Sequence, residues 1–265
     1  MVPASRSDRQ SGQAAVETAL TMPLLLFMVL GIMQLGLLMQ ARALTQYAVY
    51  RATRAGSMNH GDCIPMMHSA IATLTPSYFS FMGSGNGGGS GGAKLGAAFA
   101  KFKGNKFDPN LVWGQSGGFT ESILWLVKER PTPAELSAIP GRLNHGEDTD
   151  FDQATGQVRR LEVRIVYWYP LRLPFIDWVL TRAVLAHWGL QSYGAQNPYL
   201  QTQTANWNDS ANPLAGDALG GAIRAEILRR SNLRQYSFPI LASSRMRMMT
   251  PARMANFRSA WCGFP

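Results

Sequence analysis

The chain has 265 residues, 46% of them hydrophobic, two cysteines and a formal net charge of +9. That length admits one large domain or two small ones, and two cysteines exclude a mini-domain held together by disulfides alone. The basic balance is compatible with contact to nucleic acid, acidic lipid or an acidic polymer, and equally with a solvated basic surface.

Residues 1–11 are polar and carry Arg6 and Arg9; Gly12 follows, then Gln13-Ala14-Ala15-Val16-Glu17. From Leu20 to Met39 the chain has no formal charge and is mostly apolar. About twenty helical residues rise about 30 Å, the hydrocarbon thickness of a bilayer. The span is therefore placed at about residues 20–39. Arg6 and Arg9 put the N-terminus in the cytoplasm, while Arg42, Arg51 and Arg54 beyond the span compete for the same side. An ordinary secretory signal has a shorter apolar core and is cut after it. Here the candidate cut, after Gly12, precedes the apolar run, so a mature chain starting at Gln13 keeps its helix and has Glu17 as its fifth residue. A carboxylate at the lip of a span is costly unless a partner charge neutralises it. The new α-amino group of Gln13, in the same or a neighbouring subunit, is such a partner. Pro23, one turn into the apolar run, removes a helix hydrogen bond and bends the axis, which a neighbouring helix tolerates in a membrane. Gln34 is the other strongly polar side chain in the span and a candidate for hydrogen bonding between helices.

The run from Gly12 through Glu17 to Pro23, followed by Gly31-Ile32-Met33-Gln34-Leu35-Gly36 and by Tyr47-Ala48-Val49-Tyr50-Arg51-Ala52-Thr53-Arg54-Ala55-Gly56, resembles the TadE-like family. These are minor pilins, or pseudopilins, of the Tad tight-adherence pilus. The resemblance extends more weakly to Leu161–Phe175 and Phe238–Met248. It implies a minor pilin that assembles into or initiates a type IV-like pilus, serving adhesion or secretion. Its implied partners are a prepilin peptidase, other major and minor pilins and an inner-membrane assembly platform. It also implies an inner-membrane location with a periplasmic head, and the pilus or cell surface after assembly. The competing reading, from a different class, is a membrane-tethered basic module that binds DNA or polysaccharide and enters no filament; nucleic acid is the weaker of its ligands. The expected division is a leader at 1–12, an N-terminal helix at 13–56 and an extracytoplasmic head at 57–265.

Beyond the span, Ala41, Leu44, Ala48, Ala52 and Ala55 recur at three- and four-residue spacing, so the helix continues as a stem with a narrow small-residue face, toward either other stems or its own head. Gly56 is the expected C-cap. Residues 83–92 form a glycine-rich loop whose chance matches to G-x-G-x-x-G and G-x-S-x-G lack the strand and helix those motifs need. Leu161, Val163, Ile165, Tyr167 and Tyr169 alternate with partners of other character and predict a strand ending at Pro170. Residues 238–248 predict a second, with Pro239 marking an edge or a strand start. The two are expected to pair antiparallel against the stem. Glu121–Glu129 and Gly220–Arg230 read as short helices. After Pro174, Phe175, Ile176, Val179, Leu180, Ala183, Val184 and Trp188 fall on one helical face, directed to the core or, alternatively, to a membrane surface or partner subunit. The expected fold is α+β and pilin-like: a long membrane and stem helix, then a head with an antiparallel sheet and short helices.

Little catalytic chemistry emerges. Asp148, Asp150 and Asp152 are a weak calcium candidate, but Gln153 and Arg159 stand where an EF-hand needs glycine and glutamate, so a polar turn fits better. His60, Asp62, Cys63 and His68 lack a second ligand pair of recognisable spacing. Cys63 and Cys262 are a candidate disulfide in an extracytoplasmic head, worth about 4–5 kcal/mol in the chain-entropy model, with free thiols as the alternative. Lys101-Phe102-Lys103-Gly104-Asn105-Lys106-Phe107 interleaves bases with aromatics as some single-strand binders do, although a solvated loop or hairpin is commoner. No nucleophile–base–acid set stands out among the four scattered histidines, so no enzyme activity and no cofactor are expected.

Overall fold

The computed structural model describes residues 8–78, 90–107, 121–137, 160–173, 175–188, 190 and 218–262. The apolar run and the alanine-rich stretch after it form one helix, α1 (Asp8–Met58), which continues through Pro23. Its second half is covered on one side. Gln34, Ala41, Thr45, Ala48, Val49, Ala52, Thr53 and Ser57 are buried, at the three- and four-residue steps that keep side chains on one helical face. The two threonine hydroxyls buried on that face bond back to the helix, Thr45 to the Ala41 carbonyl at 2.7 Å and Thr53 to the Val49 carbonyl at 2.7 Å, so neither is left unsatisfied.

Gly56 is not the cap expected of it. The helix runs on to Met58, and the chain leaves it through His60 (φ 55°) and Gly61 (φ 77°), both left-handed. Gly61 N–H closes the end on the Gly56 carbonyl at 2.8 Å. Gly56 serves packing instead: a Cβ there would lie 2.5 Å from Met66 Sδ and 2.8 Å from Leu161 Cδ2.

The chain then returns along α1 as α2 (Cys63–Tyr78), and α3 (Gly91–Phe102) follows. Four antiparallel strands form the sheet: β1 (Leu124–Arg130), β2 (Arg160–Pro170), β3 (Ser237–Arg247) and β4 (Trp261–Cys262), in spatial order β3-β2-β1-β4. The two expected strands pair over their whole length, from Arg160 opposite Arg247 to Pro170 opposite Ser237, and both contact α1. Pro239 sits in the edge strand β3, where a missing N–H costs least.

The helix expected at Glu121–Glu129 is strand β1 instead. Leu124 to Lys128 are all buried, so side chains on both faces of β1 are covered and the alternation of a half-exposed strand is absent. Lys128 is among them. It donates to the Asn256 carbonyl and lies 4.9 Å from the Phe257 ring; burial pushes its ammonium down to about 8, against the opposing pull of Asp62.

Short helices α4 (Pro133–Ser137), α5 (Ile176–His187) and α6 (Ala218–Asn232), with a 3-10 turn at Met254–Phe257, complete the head. The helix expected at Gly220–Arg230 is α6. Its Arg230, 1% exposed, lies 4.3 Å over the Trp168 ring, bonds Glu226 at 2.6 Å and donates to the Ser122 carbonyl at 3.0 Å. Arg229 joins the same network through Glu121 and Glu226. A buried guanidinium needs such partners to offset its lost hydration. Tyr78 stacks edge-on with Phe102 and Phe107 at 4.9 and 5.7 Å, and Tyr167 bonds Ser77 across to α2 at 2.7 Å.

Candidate functional site

The candidate site is α1 and the end of the head that meets it. Residues 14–29 are exposed all round, Leu30 and Gly31 are partly covered, and Gln34 is the first residue fully buried by the head. Between Ala14 and Met33 the side chains are apolar or small apart from Glu17, Thr18 and Thr21. The threonine hydroxyls turn inward to the helix, Thr18 onto the Ala14 carbonyl at 2.8 Å and Thr21 onto the Glu17 carbonyl at 2.9 Å, which lowers their cost in an apolar medium. Ala14–Met33 is about twenty residues, so the bare part of α1 is about 30 Å long, enough to cross a bilayer's hydrocarbon core.

Gln34 marks the lower seam. Its Oε1 accepts from Leu173 N–H at 3.3 Å, and its side chain is buried. Around it, Arg172 Nη2 donates to the Ser77 carbonyl at 2.9 Å and Leu171 N–H to the Tyr236 carbonyl at 3.0 Å. The ends of α2 and β2 and the approach to β3 therefore meet α1 at one level. At the opposite end Ser57 Oγ donates to the Arg247 carbonyl at 2.9 Å.

Of the residues singled out in sequence, Gly12 and Gln13 lie within α1 near its start, and Glu17 and Pro23 lie on its bare part. Cys63, at the start of α2, and Cys262, in β4, are joined by a disulfide with Cα atoms 5.3 Å apart. The other residues considered with Cys63 have structural partners. His60 Nδ1 bonds the Pro251 carbonyl at 2.8 Å, Asp62 accepts from Ile64 N–H at 3.2 Å, and His68 stacks edge-on against Phe99. Among the described residues no group of three or more His, Cys, Asp or Glu side chains is placed to hold a metal. Asp148, Asp150 and Asp152 lie outside the described residues, as does the glycine-rich loop up to Gly89; Gly91 and Gly92 begin α3, so a helix does follow that loop. Phe102 and Phe107 face the core and offer no stacking platform.

A head carried on a helix long and apolar enough to cross a membrane is the class of protein this arrangement defines. Residues 12–54 match the family model described as TadE-like protein, which covers the helix and stops short of the head. The match associates the chain with the pilin-like proteins of the Tad pilus. No curated protein and no solved structure matches it.

Proposed function

We propose that the chain is a minor pilin, held in the inner membrane by the bare half of α1 and drawn from there into a Tad-type pilus that serves adhesion or secretion. The observation that supports this most is the coincidence on one helix of a bilayer-length apolar segment and one acidic residue, Glu17, within the TadE-like match. In this reading a prepilin peptidase cuts after Gly12, and the amino group of Gln13 in a neighbouring subunit neutralises Glu17 when helices leave lipid for the filament. The head, periplasmic at first, then lies on the pilus surface. N-terminal sequencing of the protein from its native membrane is expected to begin at Gln13; a retained Met1 rejects processing. Glu17→Ala is expected to leave membrane insertion intact and to reduce surface pili strongly, and unchanged piliation removes Glu17 from assembly.

One feature favours a tethered binding module as a second reading. Arg160 and Arg247 stand directly opposite in the β2–β3 ladder, next to the opposed pair Glu162 and Arg245, and like charges directly opposite cost stability unless an anion lies between them. Retention of the intact protein on an acidic polysaccharide or DNA, lost steeply as salt rises, would favour this reading. Absence of retention at low salt rejects it.

A further inference from the structure

We propose that the turn after β2 and the first turns of α5 form a foot that rests on the bilayer surface, with Phe175 and Trp178 among the lipid headgroups. This rests on the reading that the bare half of α1 spans the membrane. The head does not bury this corner. Phe175 is 77% exposed and Trp178 is 43% exposed, whereas Ile176, Thr181 and Leu185 of the same helix are buried. Phe175 also has φ 69°, a left-handed backbone that a bulky side chain rarely adopts. Such an outlier at the surface points to a role other than folding.

The position of this corner identifies what it meets. Leu173, two residues before Phe175, is bonded to Gln34, where the bare part of α1 ends. A bilayer that covers α1 up to Met33 brings its headgroup layer against this end of the head. The chemistry fits that layer. Aromatic rings with one apolar and one wetted side concentrate at membrane interfaces. The Arg182 guanidinium lies 4.3 Å over the Trp178 ring, and Arg172 lies at the same seam, so cations accompany the aromatics where lipid phosphates would be. A second copy of the chain would not need the aromatics to stand at the level where the apolar helix ends.

The test uses the full chain in phosphatidylcholine–phosphatidylglycerol vesicles. The Trp178 contribution to fluorescence is obtained as the difference between the parent and Trp178→Phe, a substitution that keeps a ring in place. That difference signal is expected to be quenched by lipids brominated near the headgroup about twofold more than by lipids brominated near the chain end, and to be shielded from aqueous acrylamide. Quenching by acrylamide with no response to brominated lipid overturns the foot. Shielding from both quenchers that grows with the protein-to-lipid ratio also overturns it, because a second copy is then the cover. Leu26→Trp in the Trp178→Phe background separates the two readings. Its new signal is expected to respond to deeply brominated lipid. If it does and Trp178 does not, the foot alone fails; if it does not, the spanning reading fails and the foot with it.

Discussion

The two halves of α1 are one unbroken helix in two different surroundings, one bare and one covered by the head. From Ala14 to Met33 its apolar side chains point outward on every side; from Gln34 to Ser57 one face is built of small residues and is covered by α2, β2 and β3. Glycine shows the difference. A Cβ at Gly31 would meet nothing within 4 Å, whereas at Gly56 it would strike Met66 and Leu161. The same residue type is thus incidental in one half and required by close approach in the other. The lesson is that helix continuity says little about what each segment is for; what surrounds it decides.

Five variants test that contrast, each read by thermal unfolding of the detergent-solubilised protein followed by tryptophan fluorescence, which reports on the head. The largest loss is expected from Cys63→Ser with Cys262→Ser. It frees a loop of sequence separation 199, and the chain-entropy model assigns such a closure about 5 kcal/mol. The bare half of α1 lies outside that loop and should keep its membrane association. Gly56→Leu is expected to cost about 3 kcal/mol by overpacking, while Gly31→Leu leaves the head's unfolding unchanged. Equal effects at the two glycines would break the comparison. Gln34→Leu strands the Leu173 N–H and is expected to cost about 2 kcal/mol. An unaltered midpoint would move the lower seam away from Gln34. The smallest effect is opposite in sign: Phe175→Gly relieves the strained backbone (φ 69°, ψ −48°) and is expected to raise stability by about 1 kcal/mol in detergent.

Much of the fold was legible because it obeys a period. The bilayer-length run, the alanine spacing after it and the alternation of Leu161–Tyr169 each follow from local geometry, and β2 and β3 pair as their patterns predict. Strand β1 was not legible. Its buried run is short, lacks alternation and includes Lys128, so period cannot separate it from a helix; its strand character comes from neighbours on both sides. Gly56 misled for a related reason, since a glycine near a helix end looks like a cap until the side chains it faces are known. In the candidate site, Gly12, Glu17 and Pro23 stand out by order along the chain alone. The partner of Gln34 lies 139 residues away, and the exposure of Phe175 and Trp178 depends on how the head seats against α1. No local pattern carries either.

The bond between Cys63 and Cys262 also sets a path for mechanical load. Followed along covalent bonds, tension applied to α1 passes Met58 and reaches Cys63 within a few residues, then crosses directly to β4. The intervening chain hangs as a closed ring beside that path. Fully drawn out, 199 residues would add about 650 Å of slack to a tether under force. With the ring closed that slack is not released when the sheet gives way, so a pull between the stem and β4 stretches the protein by little more than the length of the helix itself.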